Sequence, residues 1–263
     1  MCGIISVVRR PGRRTAPPPD AVTGPLHEAI AALASPDPLV VSAHRAADHV
    51  EVTNRLLDDT DGVHALVHDR RLLAEVEGLA ASLTESVELV EGSLDSGWAE
   101  AEGPEQLEAI NAAVVRLKDA VWSVAEDRTR TARAVADLAG SEPGWAATEG
   151  YTSIQQALSA IDRLEVRGRD SAGLHILVHG HGLDVSSPAI AGLIGQRADD
   201  PLFRSGTVRV VDGSLCLVYK AAAEIGELGD NTAALRTALR SDDLLRLAVG
   251  LSGLAGVSPS IRR

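Results

Sequence analysis

The stretch RLEVRGRDSAGL, residues 163–174, contains a change of periodicity on which the fold reading turns. Ahead of it, TSIQQALSAIDRL (152–164) places Ile154, Leu158 and Ile161 on one side of a helix. Behind it, SAGLHILV (171–178) has the apolar, β-favouring content of a strand and ends at the Gly-rich HGHG. Between them lies a charged turn with Arg167 and Asp170, where Gly168 can take a positive φ if the turn requires it. Further on, TVRVV-DG-SLCLVY (207–219) reads as a hairpin with Asp212–Gly213 at its tip. Helical stretches near 230–240 and 242–250 follow, and GLAGVSPSIRR closes in loop chemistry. A helix feeding a strand, then a hairpin and two helices, predicts an α+β architecture.

Working outward, CGIISVV (2–8) is a continuous apolar run and reads as a short buried strand. It has no sheet partner nearby, so it is expected to pair with the strands after residue 170. RRPGRRTAPPPD (9–20), with four prolines and a glycine, breaks regular structure. From about 25 to 140 the pattern is helical. LHEAIAAL (26–33) is amphipathic, and Val76, Leu79, Leu83, Val87, Val90 and Leu94 step by three or four. Leu107, Ile110, Val114, Leu117, Val121 and Val124 form a stricter seam of more than two heptads. DSGWAEAEGP (95–104) interrupts the two seams, which predicts an antiparallel helical hairpin, and GSEPGW (140–145) is a second break. Residues 21–145 are therefore expected to be an all-α insertion serving as scaffold, partner surface or homodimer contact. Residues 1–20 and 146–263 are expected to form the domain it interrupts.

Composition narrows the function classes. The 263 residues are 45% hydrophobic and 24% charged, with a net charge of −12, which argues against nucleic acid or an anionic membrane surface as the main partner. Aromatics are 2%, so a core must be built from Leu, Val, Ile and Ala. Two cysteines, Cys2 and Cys216, make neither a disulfide framework nor a four-cysteine zinc site and suit a cytoplasmic setting. The N-terminus lacks the charge order of a signal peptide, and no stretch approaches the roughly 20 apolar residues of a bilayer span.

Cys2 is the candidate nucleophile. A thiol with an ordinary pKa near 8.5 needs a base. Once Met1 is removed, Cys2 carries a free α-amine with a reference pKa of about 7.7–8.0, a base held on the nucleophile's own residue. Gly3 leaves room beside the sulfur for a substrate.

MCGI at the start of the chain and LE-x-RG-x-DSAG after the helix together resemble the N-terminal-nucleophile, or class II, glutamine amidotransferases. Within that group the resemblance is to the glutamine–fructose-6-phosphate aminotransferase family, whose segment reads Leu-Glu-Tyr-Arg-Gly-Tyr-Asp-Ser-Ala-Gly. Val166 and Arg169 stand where that family has its tyrosines. The amidophosphoribosyltransferase turn differs at the Asp-Ser pair. The resemblance covers roughly 2–8 and 150–250, with CLVYKAAAEIGEL (216–228) similar to the second hairpin strand and the helix after it.

It implies a partial N-terminal-nucleophile αββα sandwich, interrupted by the helical insertion. It also implies that Cys2 attacks the amide of L-glutamine, releases ammonia and is freed by water, with Gly3, Arg167, Gly168 and Asp170 supporting the terminus. No cofactor and no metal are called for. A sugar-phosphate isomerase half downstream would use the ammonia to make glucosamine 6-phosphate. The family's His-Thr-Arg-Trp-Ala motif and its oxyanion Asn-Gly pair are not among these residues. The chain is therefore expected to be the N-terminal part of a longer enzyme, or a truncated product, with little activity alone. The alternatives are a non-catalytic remnant or interaction module with an inert Cys2, or another class II amidotransferase.

Other signals carry less. His175, His179 and His181 would share a face if the strand continued, but HGHG reads as a solvated turn. HALVH (64–68) lacks the glutamate of a metalloprotease helix. Cys216 is expected in the core. No Gly-rich phosphate loop is present.

Overall fold

The structure is a computed structural model and describes residues 3–95, 103–140, 142–165, 170–197, 205–222 and 227–250. The chain divides into two compact units, residues 12–134 and residues 1–11 with 135–263.

The first unit is helical: α1 (Pro19–Leu33), α2 (Leu39–Leu57), α3 (Thr60–His68), α4 (Arg70–Asp95), α5 (Pro104–Trp122), a π-helical segment Ser123–Arg128, and the start of α6 (Thr129–Ala139). Both seams face the core: Val76, Leu83 and Val87 on α4 and Ile110, Val114, Leu117 and Val121 on α5 are buried, while Leu79, Val90, Leu94 and Leu107 are partly covered. The expected two-helix hairpin is part of a larger bundle. α2 packs against both α1 and α5, with Ala43, Ala46, Ala47 and Val50 fully buried. Its small residues permit close helix approach but make a weak apolar stripe in the sequence. Pro25 removes one hydrogen bond inside α1, and the Thr53 hydroxyl of α2 donates to the Val22 carbonyl there at 2.7 Å. Arg128, at the end of the π-helical segment, donates to Asn54 Oδ1 at 2.7 Å and pairs with Asp58 at 2.7 Å.

The second unit holds α7 (Trp145–Glu165), β1 (Ala172–Val178), α8 (Pro188–Gly195), β2 (Val208–Val211), β3 (Ser214–Ala221), α9 (Asp230–Arg240) and α10 (Asp243–Ala248). The sheet is antiparallel, in the order β1-β3-β2, with Ala172 opposite Ala221 and Val208 opposite Leu217. At the hairpin tip Asp212 and Gly213 both have positive φ, at 48° and 74°. That is the two-residue turn whose twist matches the flanking strands. α9 packs on β3 and β1, and α7 packs on β1 and α9. Leu215 and Leu217 of β3, Leu158 of α7 and Leu235 and Leu239 of α9 lie in this core. Each fully buried leucine is worth about 1.5–3 kcal/mol in apolar burial.

Two expectations are corrected. Residues 3–8 do not form a strand, and they pair with neither β1 nor β3. Ile4 and Val8 are 96% and 90% exposed. An apolar run becomes a strand only when a sheet edge accepts its backbone, and this run lies along α7 instead. Cys216 is half-buried, because its cross-strand neighbours on that face, Leu177 of β1 and Arg209 of β2, are themselves exposed and leave it partly uncovered. The observed architecture is α+β. Among the described residues the sheet is a single three-stranded layer.

Candidate functional site

The N-terminal segment is held along one face of α7 at both ends. Arg9 donates from Nε to Ser153 Oγ and from Nη2 to Gln156 Oε1, each at 3.0 Å. At the other end, Gly3 packs so closely on Leu164 that a Cβ there would lie 2.7 Å from its Cδ2 and 2.8 Å from its Cδ1. Ser153, Gln156 and Leu164 are spaced to share a helical face. The segment thus runs antiparallel to α7, and Gly3 reaches the C-terminal end of that helix.

Of the residues expected to form the site, Gly3 and Asp170 are placed. Asp170 is exposed at the bend before β1. Cys2, Arg167 and Gly168 lie outside the described residues, as do Val166 and Arg169. The structure therefore brings together the chain neighbour of Cys2 and the helix end that leads into Arg167.

Beside this end, α9 grips α7. Glu165 is 3% exposed, and its Oε2 accepts from the Gly229 backbone N–H at 2.7 Å. Its Oε1 is buried with no hydrogen-bond partner. Gly229 has φ of 97° at the N-cap of α9, a conformation suited to glycine. Thr232 donates its hydroxyl to Asp162 Oδ1. An open cleft of about 400 Å³ lies here, lined by Asp162, Leu228, Gly229, Thr232, Ala233 and Arg236. Burial pushes the Arg236 pKa down, against the opposing pull of Asp137 and Asp162. Arg236 donates to Gln155 Oε1 at 2.5 Å and pairs with Asp137 at 3.9 Å. Glu165 and Asp162 escape a reading of sequence. Their partners lie in α9, and the only local sign is a pair of carboxylates in the last turn of a helix, where they oppose the helix dipole.

A second polar cluster is buried under the hairpin. Asp242 caps α10 by accepting from the Leu245 N–H at 3.1 Å. It also receives both terminal nitrogens of Arg197, at 2.8 and 2.7 Å, and the Tyr219 hydroxyl at 2.6 Å. Burial works against the carboxylate, but these hydrogen bonds and the Arg197 charge outweigh it and hold Asp242 below the ordinary carboxylate pKa. Burial, reinforced by Asp242, raises the Tyr219 pKa. Tyr151 is pushed up to about 12, chiefly by burial, and its hydroxyl is without a partner. Every partner of Asp242 is satisfied inside the fold, which makes this cluster a structural tie.

The histidines after β1 are also structural. His179 Nδ1 meets Ser214 Oγ at 3.0 Å. His181 accepts from the Leu183 N–H on Nδ1 and meets the Gly213 carbonyl through Nε2, each at 3.0 Å. They clip their loop to the hairpin turn and do not converge. Among the described residues no group of three His, Cys, Asp or Glu could hold a metal, and no helix is long and apolar enough to cross a membrane. No family model matches the chain, and no curated protein and no solved structure matches it either.

Proposed function

We propose that this chain is the glutaminase portion of a class II glutamine amidotransferase of the glutamine–fructose-6-phosphate aminotransferase kind. Its sheet and α7 would be part of an αββα sandwich, and it would act in the cytoplasm. One spatial observation supports the reading: the close packing of Gly3 on Leu164. Gly3 and Leu164, the described residues nearest Cys2 and Arg167 in sequence, are thereby in contact at one end of α7. The reading rests on the two short segments MCGI and LE-x-RG-x-DSAG and on that contact.

In this mechanism the α-amine of Cys2 takes the thiol proton, and the sulfur attacks the side-chain amide carbon of glutamine. The carbon–nitrogen bond breaks, the amine returns the proton and ammonia leaves. Water then cleaves the thioester, giving glutamate and the free thiol. The described residues would hold the nucleophile in place: the N-terminal segment is pinned to α7 by Arg9 at one end and by the Gly3 contact at the other. Oxyanion donors and a carboxylate anchor are also required, and losing one donor typically costs about 10²–10³ in rate. The family motifs for both are not in this sequence, so the reading assigns these residues the nucleophile and its support and not efficient turnover.

The test is intact-mass analysis before and after treatment with the glutamine analogue 6-diazo-5-oxo-L-norleucine. Alkylation requires only the activated thiol, so the reading expects loss of Met1 and one adduct on Cys2, absent in Cys2→Ala. A retained Met1, or labelling that ignores the Cys2 substitution, overturns it. A second reading, a non-catalytic interaction module, is favoured by the exposed N-terminal segment and by the absence of its strand from the sheet. It expects an unreactive Cys2 and no glutamate release even from an extended chain.

A further inference from the structure

We propose that the outer edge of β1 docks a second copy of this chain, antiparallel, about a two-fold axis through His175. β1 pairs with β3 through one edge, and among the described residues nothing pairs with the other. The opposite edge of the sheet is defended: β2 is only four residues long and carries Arg209. β1 is seven residues long, with no proline or formal charge, and Leu177 is 63% exposed. Exposed edges are normally blunted by charge, proline, a bulge or shortness. β1 has none of these, so the N–H and C=O groups of the edge that no described residue pairs with suit another strand.

The sequence of β1 argues that the strand is its own. Centred on His175, antiparallel pairing sets Ala172 against Val178, Gly173 against Leu177 and Leu174 against Ile176. Small residues face large ones, and the middle pair is matched. Leu177 needs space across the axis, and Gly173 leaves it: a Cβ built there would approach nothing closer than Tyr219 O at 3.7 Å. Residues directly opposite in an antiparallel pair share a face. This register therefore keeps the helix-covered face of both copies on one side. A one-residue slip would put the helices of the two copies on opposite faces, and a two-residue slip would leave Leu177 or Gly173 without its counterpart. The product is a continuous six-stranded sheet in the order β2-β3-β1-β1-β3-β2.

The test combines sedimentation of the full chain over a concentration series with two cysteine variants. Wild type should be dimeric. Leu177→Lys should raise the dimer dissociation constant at least tenfold while leaving circular dichroism unchanged, since the side chain is exposed in one copy, and its melting should differ from wild type only by the concentration-dependent part that dimerisation supplies. In a Cys2→Ala, Cys216→Ser background, His175→Cys should oxidise to a disulfide-linked dimer because it faces itself. Leu177→Cys should not, because its counterpart lies four residues along the strand, about 13 Å away, against the roughly 4.4–6.8 Å a disulfide spans. A chain that stays monomeric at all concentrations overturns the proposal, including one in which residues 3–8 of the same chain protect the β1 amides from exchange. A dimer indifferent to Leu177→Lys, or one in which both cysteines cross-link equally, overturns it too.

Discussion

Replacing Asp242 with alanine should unlock the second unit. The carboxylate serves three groups at once, and each loss has its own scale. Removing the N-cap bond to Leu245 costs about 1 kcal/mol. The Tyr219 hydroxyl, in a residue 2% exposed, loses its acceptor, an unsatisfied buried group worth about 1–3 kcal/mol. Arg197 loses a bidentate partner. Breaking a fully buried pair costs about 3–5 kcal/mol, and Arg197, at 23% exposed, loses less because water reaches it. These losses share one site and do not add, so the expected total is about 3–5 kcal/mol. Tyr219→Phe should cost only about 1 kcal/mol, because Asp242 keeps Arg197 and Leu245. The assay is urea unfolding, followed by amide exchange in β3 and α10 so that the second unit is read separately, and the sign is a lower midpoint at constant slope. A loss under about 1 kcal/mol for Asp242→Ala would refute the network as the tie that the geometry describes.

Three further outcomes are expected. Because the folded-state pKa of Asp242 lies below its unfolded value, its contribution is fully present above about pH 4 and is lost as pH falls through the folded value. Acid titration should show Asp242→Asn lacking that part of the slope. Leu83→Ala, at a fully buried position of α4, should cost about 2–5 kcal/mol by exchange in the first unit. Gly213→Ala, at φ of 74°, should cost about 1–2 kcal/mol and loosen the β2–β3 turn, seen as faster exchange at Val211 and Ser214.

The local elements are legible in the amino-acid sequence alone. β1, the β2–β3 hairpin with Asp212–Gly213 at its tip, and the helix ahead of the charged turn stand close to where periodicity and turn chemistry put them. These signals are carried by residues a few positions apart, so a reading of neighbours suffices. What the tertiary structure alone decides depends on groups distant in sequence. The run 2–8 has the composition of a strand, yet its described part lies exposed along α7, because pairing is a property of the edge that receives a strand. Cys216 has apolar neighbours in sequence, yet it is half-buried, because the residues opposite it on the adjoining strands, Leu177 and Arg209, are exposed. α2 declares itself weakly, since its buried alanines acquire meaning only against α1 and α5. The Arg197–Tyr219–Asp242 tie and the Glu165–Gly229 bond join residues with no periodic relation. Even the approach of Gly3 to Leu164, on which the functional reading leans, requires the chain to fold back on itself. A missing Cβ in the sequence says only that something could come close, and the packed helix says what does.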